Sequence, residues 1–232
     1  MGKRPTLPAF IVAHFIFISG SEETAESWQE CRERLEALGH SWAGVSLCDL
    51  PWDAGFETAY NEGLSYFRST LPTPEATPVM LGHSAGGLML PRFGDALKAQ
   101  GEIYVAALAA APGKNFLEQL FEDPLDVFVA EWLTEVRRAP KASSKFLKPL
   151  YQERFAGYAG RRRVYIRCER DACISPAWQH YAAVKHLPNA TLASLDMGHD
   201  PQIEMPHLLA QHLHMITGQW PHGSTAAACS MG

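Results

Sequence analysis

Ser84 stands in a pattern of residue types that can support nucleophilic chemistry. In the stretch VMLGHSAGGLMLPRF, residues 79–93, a glycine lies two positions before this serine and another two positions after it. A short apolar run precedes the serine, and a segment typical of a helix follows it. Gly82 and Gly86 have no side chain to block a sharp turn that would lift the hydroxyl clear of a sheet. The pattern predicts a nucleophile, although a glycine-rich turn that only lets a helix pack on a strand is the simpler interpretation.

A serine hydroxyl needs a base, and the base needs a third group that orients it. His199 follows the last predicted strand, after Gly198, and Asp171 follows the strand before it. Serine, aspartate and histidine therefore come in a chain order that is known for catalytic triads, and each lies just past the carboxyl end of a predicted strand. Asp196 is the rival acid, but it lies three residues before the histidine and within the predicted strand. The sequence predicts a triad of Ser84, Asp171 and His199.

The elements that must position these residues follow from the hydrophobic pattern. Apolar, β-branched or aromatic runs recur along the chain, and segments with helical periodicity lie between most of them. Such alternation favours an α/β fold in which helices cover both faces of a mostly parallel, six-stranded sheet. The predicted strands are 10–18, 42–48, 78–81, 103–109, 163–168 and 191–195.

The segment 113–160 interrupts this alternation, because it has no strand-like run but many aromatic residues. We expect it to form a helical cap over the sheet edge. Some of its aromatic side chains should line a substrate pocket, while the others form the core of the cap itself; the candidates for the pocket are Phe116, Phe121, Phe128 and Trp132. Basic residues between 137 and 163 fit a solvated face, and an anion-binding site is the alternative.

The composition limits the classes of function. The 232 residues, 47% hydrophobic and 19% charged, suit a single domain over 1–232, with a small, polar tail at 221–232 that we expect to be disordered. The net charge of −5 gives no reason to expect nucleic acid as a partner. No apolar run approaches the roughly 20 residues of a membrane helix. His14 interrupts the N-terminal apolar stretch, which we interpret as a buried strand and not a signal peptide.

No pattern for a metal or a cofactor stands out. The five cysteines have no framework spacing, so we expect reduced thiols in a cytoplasmic protein. His207, His212 and His214 fall on a C-terminal amphipathic helix and are interpreted as surface or packing residues. The GHSAGG stretch lacks the lysine of a phosphate loop and the spacing of a dinucleotide loop. We therefore predict no cofactor and no metal, and a small-molecule substrate as the partner; a homodimer is left open.

In these residues the chain resembles the α/β-hydrolase superfamily, in particular the compact branch of plant methylesterases, hydroxynitrile lyases and related bacterial esterases. The resemblance covers nearly the whole chain, and the stretches that carry it are SGSEETAESW, ALGHSWAGVSLCDL, GHSAGG, CERDACISP and GHDPQIEMP. It implies an α/β-hydrolase fold with a small helical cap.

The resemblance also implies an oxyanion hole. Residues 19–21, Ser-Gly-Ser, occupy the places where the family usually has His-Gly and a small residue, and Trp28 matches a tryptophan of the following helix. The backbone N–H of Ser21 would then partner that of Ala85 in binding an oxyanion. Gly20 and His83 would border the substrate, although the side chain of His83 should point away from the nucleophile. Acidic Glu22 and Glu23 stand near the pocket mouth, where the family has small or aromatic residues.

We therefore expect a serine hydrolase that cleaves a small to medium hydrophobic carboxylic ester, lactone or thioester. A lyase or cyclase on the same scaffold and a non-catalytic binding module are the alternatives. The hydroxynitrile lyases carry a lysine directly after the catalytic histidine, whereas this chain has Asp200. A carboxylate there would repel an anionic leaving group, which favours hydrolysis.

Overall fold

The structure is a computed structural model that describes residues 12–21, 23–138, 144–155, 157–158 and 160–220. Its centre is a six-stranded sheet in which every pair of neighbours is parallel, in the order β2-β1-β3-β4-β5-β6. The strands are β1 (His14–Ile18), β2 (Ser41–Val45), β3 (Val79–His83), β4 (Gly101–Val105), β5 (Arg162–Cys168) and β6 (Thr191–Leu195).

Nine α-helices connect or follow these strands in the described part of the chain. They are α1 (Gln29–Ala37), α2 (Phe56–Thr70), α3 (Leu90–Ala96), α4 (Phe116–Glu122), α5 (Ala130–Arg138), α6 (Ser144–Gln152), α7 (Pro176–Lys185), α8 (Pro201–Glu204) and α9 (Pro206–Gly218). None of the described helices combines the length and the apolar character that crossing a bilayer requires.

Alternate residues of the strands enter two separate cores, one on each face of the sheet. In β1, Ile16 packs into the core under α2, α3 and α7, whereas its neighbours Phe15 and Phe17 pack into the core under α1 and α9. All three side chains are at most 2% exposed. A side chain of this size contributes roughly 1.5–3 kcal/mol when fully buried. The predicted α/β fold with helices on both faces is confirmed.

The apolar run that was predicted as strand 103–109 is shorter in the structure and ends at Val105. Ala106 takes a positive φ of 44°, which turns the chain out of the sheet. The residues beyond it stay buried, and the N–H of Leu108 donates a hydrogen bond of 2.9 Å to the carbonyl oxygen of Ser84. The end of this apolar run therefore supports the turn at the serine.

Helices α4, α5 and α6 lie within the segment 113–160, in which residues 139–143, 156 and 159 are outside the described part. Helix α4 begins with a capping box, in which the side chain of Asn115 accepts from the N–H of Glu118 and the Glu118 side chain accepts from the N–H of Asn115. That this segment acts as a cap stays a prediction. The predicted tail at 221–232 lies outside the described residues.

Two of the basic residues near 163 have a structural role that neither interpretation of the basic run anticipated. Arg161 and Arg163 both contact the carboxylate of Glu102, whose side chain is fully buried, and Arg161 also contacts Asp95. Tyr104 donates a further hydrogen bond of 3.0 Å to the same carboxylate. Arg161 thus ties the loop before β5 to β4, and Arg163 ties the first residues of β5 to β4.

Candidate active site

Ser84 lies on a strained turn at the carboxyl end of β3. It has a φ of +50°, unusual for a residue with a side chain, and a 3-10 turn over Ser84–Met89 leads from it into α3. A Cβ atom at Gly86 would lie 2.3 Å from the carbonyl oxygen of Ile18, and one at Gly82 would lie 2.9 Å from Cγ of Leu90. Close packing around the turn therefore requires glycine at both positions. A sharp turn of this kind between a strand and a helix exposes the hydroxyl of a nucleophilic serine.

The structure brings the three residues of the predicted triad together. Nε2 of His199 lies 3.1 Å from Oγ of Ser84, and Nδ1 of the same ring lies 2.8 Å from Oδ2 of Asp171. The aspartate follows β5 and the histidine follows β6, so the carboxyl ends of three parallel strands supply the three side chains. This geometry permits proton transfer from the hydroxyl to the ring.

The carboxylate of Asp171 is buried and receives hydrogen bonds on both oxygens. Oδ1 accepts from the backbone N–H groups of Cys173 and Ile174 at 2.7 and 2.9 Å, and Oδ2 accepts from Nε2 of Gln179 at 2.7 Å. These donors fix the orientation of the carboxylate beside the imidazole. The rival acid, Asp196, has a side chain 81% exposed and pairs with Arg170 instead.

The loop after β1 packs directly on the nucleophile. A Cβ atom at Gly20 would lie 2.7 Å from Cβ of Ser84, so only glycine fits between the two segments. The loop is fixed by its neighbours: Ser46 Oγ donates to the carbonyl oxygen of Glu23 at 2.7 Å, and Cys48 Sγ to that of Ser21 at 3.0 Å. The loop therefore holds Ser21 at the cavity.

A cavity of about 680 Å³ opens above the serine and the histidine. Ser21 lines it, whereas Ala85 is buried directly after the nucleophile. That the N–H groups of these two residues bind an oxyanion stays a prediction. Apolar and charged side chains both line the remaining wall, among them Trp132, Ile203, Glu131, Arg170 and Asp200.

Known proteins of similar sequence and structure share this fold. Methylesterase 2 of Arabidopsis thaliana is 25% identical over an alignment of 251 positions, gaps included, which covers 88% of this chain and 95% of that protein. Polyneuridine aldehyde esterase superposes with a TM-score of 0.70 at 19% identity, covering 89% of this chain and 100% of the other. A methylesterase from Arabidopsis superposes with a TM-score of 0.62 at 25% identity, covering 89% and 99%. No model of a protein family matches the chain.

This chain is similar to plant methylesterases over most of its length, and its structure has the α/β-hydrolase fold. The resemblance inferred from the motifs is thus confirmed, and the protein is a hydrolase of the carboxylesterase type.

The aromatic residues that we expected to line the pocket of this α/β-hydrolase do not share one role. Trp132 lines the cavity, and Phe128 stacks on it with ring centroids 4.9 Å apart. Phe116 is fully buried away from the cavity and packs edge-on against Trp178. Phe121 is 88% exposed, on the outward side of α4. The expectation for Phe116 and Phe121 is corrected, because α4 directs one ring into the core and the other into solvent.

Two functional neighbours of the triad were missed from sequence. Gln179, on α7, also accepts from the N–H of Cys168 at 3.1 Å and so ties the acid of the triad to β5. The second is the pair of Glu23 and His83, in which Oε1 of the carboxylate lies 2.8 Å from Nδ1 of the ring. The acidic residue near the pocket mouth was a sequence feature from which this pair could have been predicted. No sequence feature indicated the role of Gln179. Glu22 lies outside the described residues.

Among the described residues, histidine and acidic side chains approach one another with the spacing of metal ligands at one point. Glu23, His83 and Asp200 place potential ligand atoms within 4.8 Å of one another. The Glu23 carboxylate contacts the His83 ring directly, and this ion pair explains why the two side chains lie close together. His14, in the stretch interpreted as a buried strand, is buried, and its Nδ1 lies 2.7 Å from Oγ of Ser41.

Proposed function

We propose that this α/β-hydrolase is a serine esterase that forms an acyl-enzyme on Ser84. The observation that carries the proposal is the continuous chain of contacts from the Ser84 hydroxyl through His199 to the buried carboxylate of Asp171, at 3.1 and 2.8 Å. This arrangement at the floor of a cavity has the geometry that nucleophilic acyl transfer requires.

In the proposed reaction, Oγ of Ser84 attacks the carbonyl carbon of the ester while its proton passes to Nε2 of His199. Asp171 keeps the ring in the tautomer that presents Nε2 to the serine and stabilises the imidazolium that forms. The N–H groups of Ser21 and Ala85 are proposed to bind the oxyanion. The imidazolium then protonates the departing alcohol, and a water molecule, activated by the same ring, releases the acid.

The cavity supports an ester of small to medium size. Its volume of about 680 Å³ lies within the range of pockets for small molecules. Trp132 and Ile203 line this cavity and support an apolar wall for an acyl group. Trp132 belongs to the segment 113–160, which supports a cap formed by that segment. The relatives named methylesterases support a small alcohol as the leaving group.

The carboxylate of Asp200 supports hydrolysis over cleavage of a cyanohydrin. Burial raises the pKa of this group, while the neighbouring His83 and His199 act in the opposite direction. When ionised, it would oppose an anionic leaving group such as cyanide at the cavity. A homodimer stays open, and a cytoplasmic location stays a prediction from the sequence.

The test is a side-by-side assay of a p-nitrophenyl ester series, a matching methyl ester series and mandelonitrile at neutral pH. We expect ester turnover by the wild-type protein, none above background by Ser84→Ala, and no release of cyanide. Cyanide release without ester hydrolysis would overturn the proposal in favour of a lyase. Inactivity on all substrates, combined with no reaction of Ser84 with an organophosphorus probe, would exclude acyl transfer.

A further inference from the structure

The carboxylate of Glu23, which lines the same cavity as Ser84, is surrounded by hydrogen-bond donors. Oε2 accepts from the backbone N–H of Gly20 at 3.0 Å and from Nε1 of Trp28 at 3.3 Å. Oε1 accepts from Nε2 of Gln202 at 2.6 Å and lies 2.8 Å from Nδ1 of His83. The side chain is only 10% exposed. An ionised carboxylate is an acceptor with about four lone-pair sites, which is the number of donors found here.

The imidazole of His83 meets an acceptor at each of its two nitrogens. Nε2 lies 2.7 Å from the carbonyl oxygen of His199, a group that can only accept, so Nε2 carries a proton. Nδ1 lies 2.8 Å from Oε1 of the Glu23 carboxylate, an ion-pair distance. Burial by itself would lower the pKa of this fully buried ring, but the carboxylate outweighs burial and raises it to about 9. The contact with the carboxylate therefore favours the protonated form of His83.

This buried ion pair joins the three segments that form the site. Glu23 and Gly20 belong to the loop after β1, His83 precedes Ser84 on β3, and the carbonyl that His83 contacts belongs to the loop of His199. The two imidazole centroids lie 4.8 Å apart. Each contact thus fixes one segment relative to another within a few ångströms of the reacting hydroxyl.

We infer that Glu23 is a positioning residue for the proposed esterase reaction, because its carboxylate holds the loop that carries the Ser21 N–H against the ring of His83, next to Ser84. The inference rests on the proposed function. Acyl transfer depends on donors placed in advance around the developing oxyanion, so loosening this loop should slow the chemical step more than it weakens substrate binding.

The protonation of His83 can be measured without any substrate. In protein labelled with ¹⁵N-histidine, both ring nitrogens of His83 should show attached protons at neutral pH, with the signals assigned by their loss in His83→Gln. In Glu23→Gln the ring should keep the proton on Nε2 and lose the one on Nδ1. A neutral ring in the wild-type protein would overturn the inference. So would a change of these signals on adding EDTA, which would indicate a metal ion bound by Glu23, His83 and Asp200.

The positioning role is tested by steady-state kinetics of Glu23→Gln. We expect kcat to fall roughly 10- to 100-fold with KM nearly unchanged, somewhat less than the roughly 10²–10³-fold cost of removing an oxyanion donor outright. The matched control is Glu26→Gln, an exposed acid of the same loop region that does not line the cavity. If the wild-type protein turns over esters and Glu23→Gln is equally fast, the inference fails while the esterase proposal stands; if the wild-type protein has no ester activity, the esterase proposal fails.

Discussion

Nδ1 of His199 lies 2.8 Å from Oδ2 of Asp171, although 28 residues separate them in the chain. The acid is buried and fixed by Cys173, Ile174 and Gln179, so its position does not depend on the histidine. Such an arrangement fixes the tautomer of the ring and supports the imidazolium that forms during attack.

Asp171→Asn should therefore reduce kcat roughly 10²- to 10⁴-fold, because an amide at this position favours the wrong tautomer of the histidine. Asp196→Asn is the matched control, since this exposed carboxylate pairs with Arg170 and does not contact the ring. Steady-state kinetics on one ester suffices. A larger loss in Asp196→Asn than in Asp171→Asn would show that the wrong carboxylate has been assigned.

The sequence predicted this part of the site because strand ends are visible in the hydrophobic pattern. Parallel strands bring their carboxyl ends to one edge, so residues that follow three strands had to meet there. The contacts of Glu23 could not be predicted in this way: they depend on His83 and Gln202, which lie 60 and 179 residues away in the chain. Nor could the pattern reveal that α4 directs Phe116 inward and Phe121 into solvent.

Trp132 should control which acyl groups fit the cavity. Trp132→Ala removes part of the apolar wall and enlarges the cavity. We therefore expect the ratio of kcat/KM between short and long acyl esters to change about 10-fold, the size of effect that one or two methylene groups produce in a pocket. Phe121→Ala, which alters an exposed aromatic side chain of the same segment, should leave the ratio unchanged. Equal ratios in the two variants would place the acyl pocket elsewhere.

His40 should make the stability of the fold sensitive to acid. The backbone N–H of Ala13 donates to its Nδ1 at 3.0 Å, and the ring is only 4% exposed. Burial, together with His214, lowers the pKa of His40 below its ordinary value of 6.5 in the folded state. The unfolded chain then binds more protons, so the free energy of unfolding should decrease as pH falls below about 6.5 and through the lower folded pKa.

Urea denaturation at several pH values tests this expectation. His40→Gln should show a weaker decrease of the free energy of unfolding toward acid pH than the wild-type protein. His180→Gln, which changes an exposed histidine, is the control and should keep the wild-type pH dependence. If the free energy of unfolding depends on pH in the same way in the wild-type protein and in His40→Gln, His40 is not the source of the acid sensitivity.

Glu102 should be important for stability, since its buried carboxylate contacts both Arg161 and Arg163. Glu102→Gln removes the charge that compensates two largely buried guanidinium groups, and such a change costs about 3–5 kcal/mol. The control, Glu36→Gln, breaks an exposed pair with Arg32 and should change the free energy of unfolding by about 0.5 kcal/mol or less. A loss below about 1 kcal/mol in Glu102→Gln would mean that the pair contributes little.

The most direct test of the central claim is to map the residue that a fluorophosphonate probe modifies. The account predicts a single covalent adduct, located by mass spectrometry on the peptide that contains Ser84, and no adduct in Ser84→Ala. His199→Ala should retain the serine but label much more slowly, because the base that accepts its proton is missing. Full labelling of Ser84→Ala, or an adduct on another residue of the wild-type protein, would contradict the assignment of Ser84 as the nucleophile.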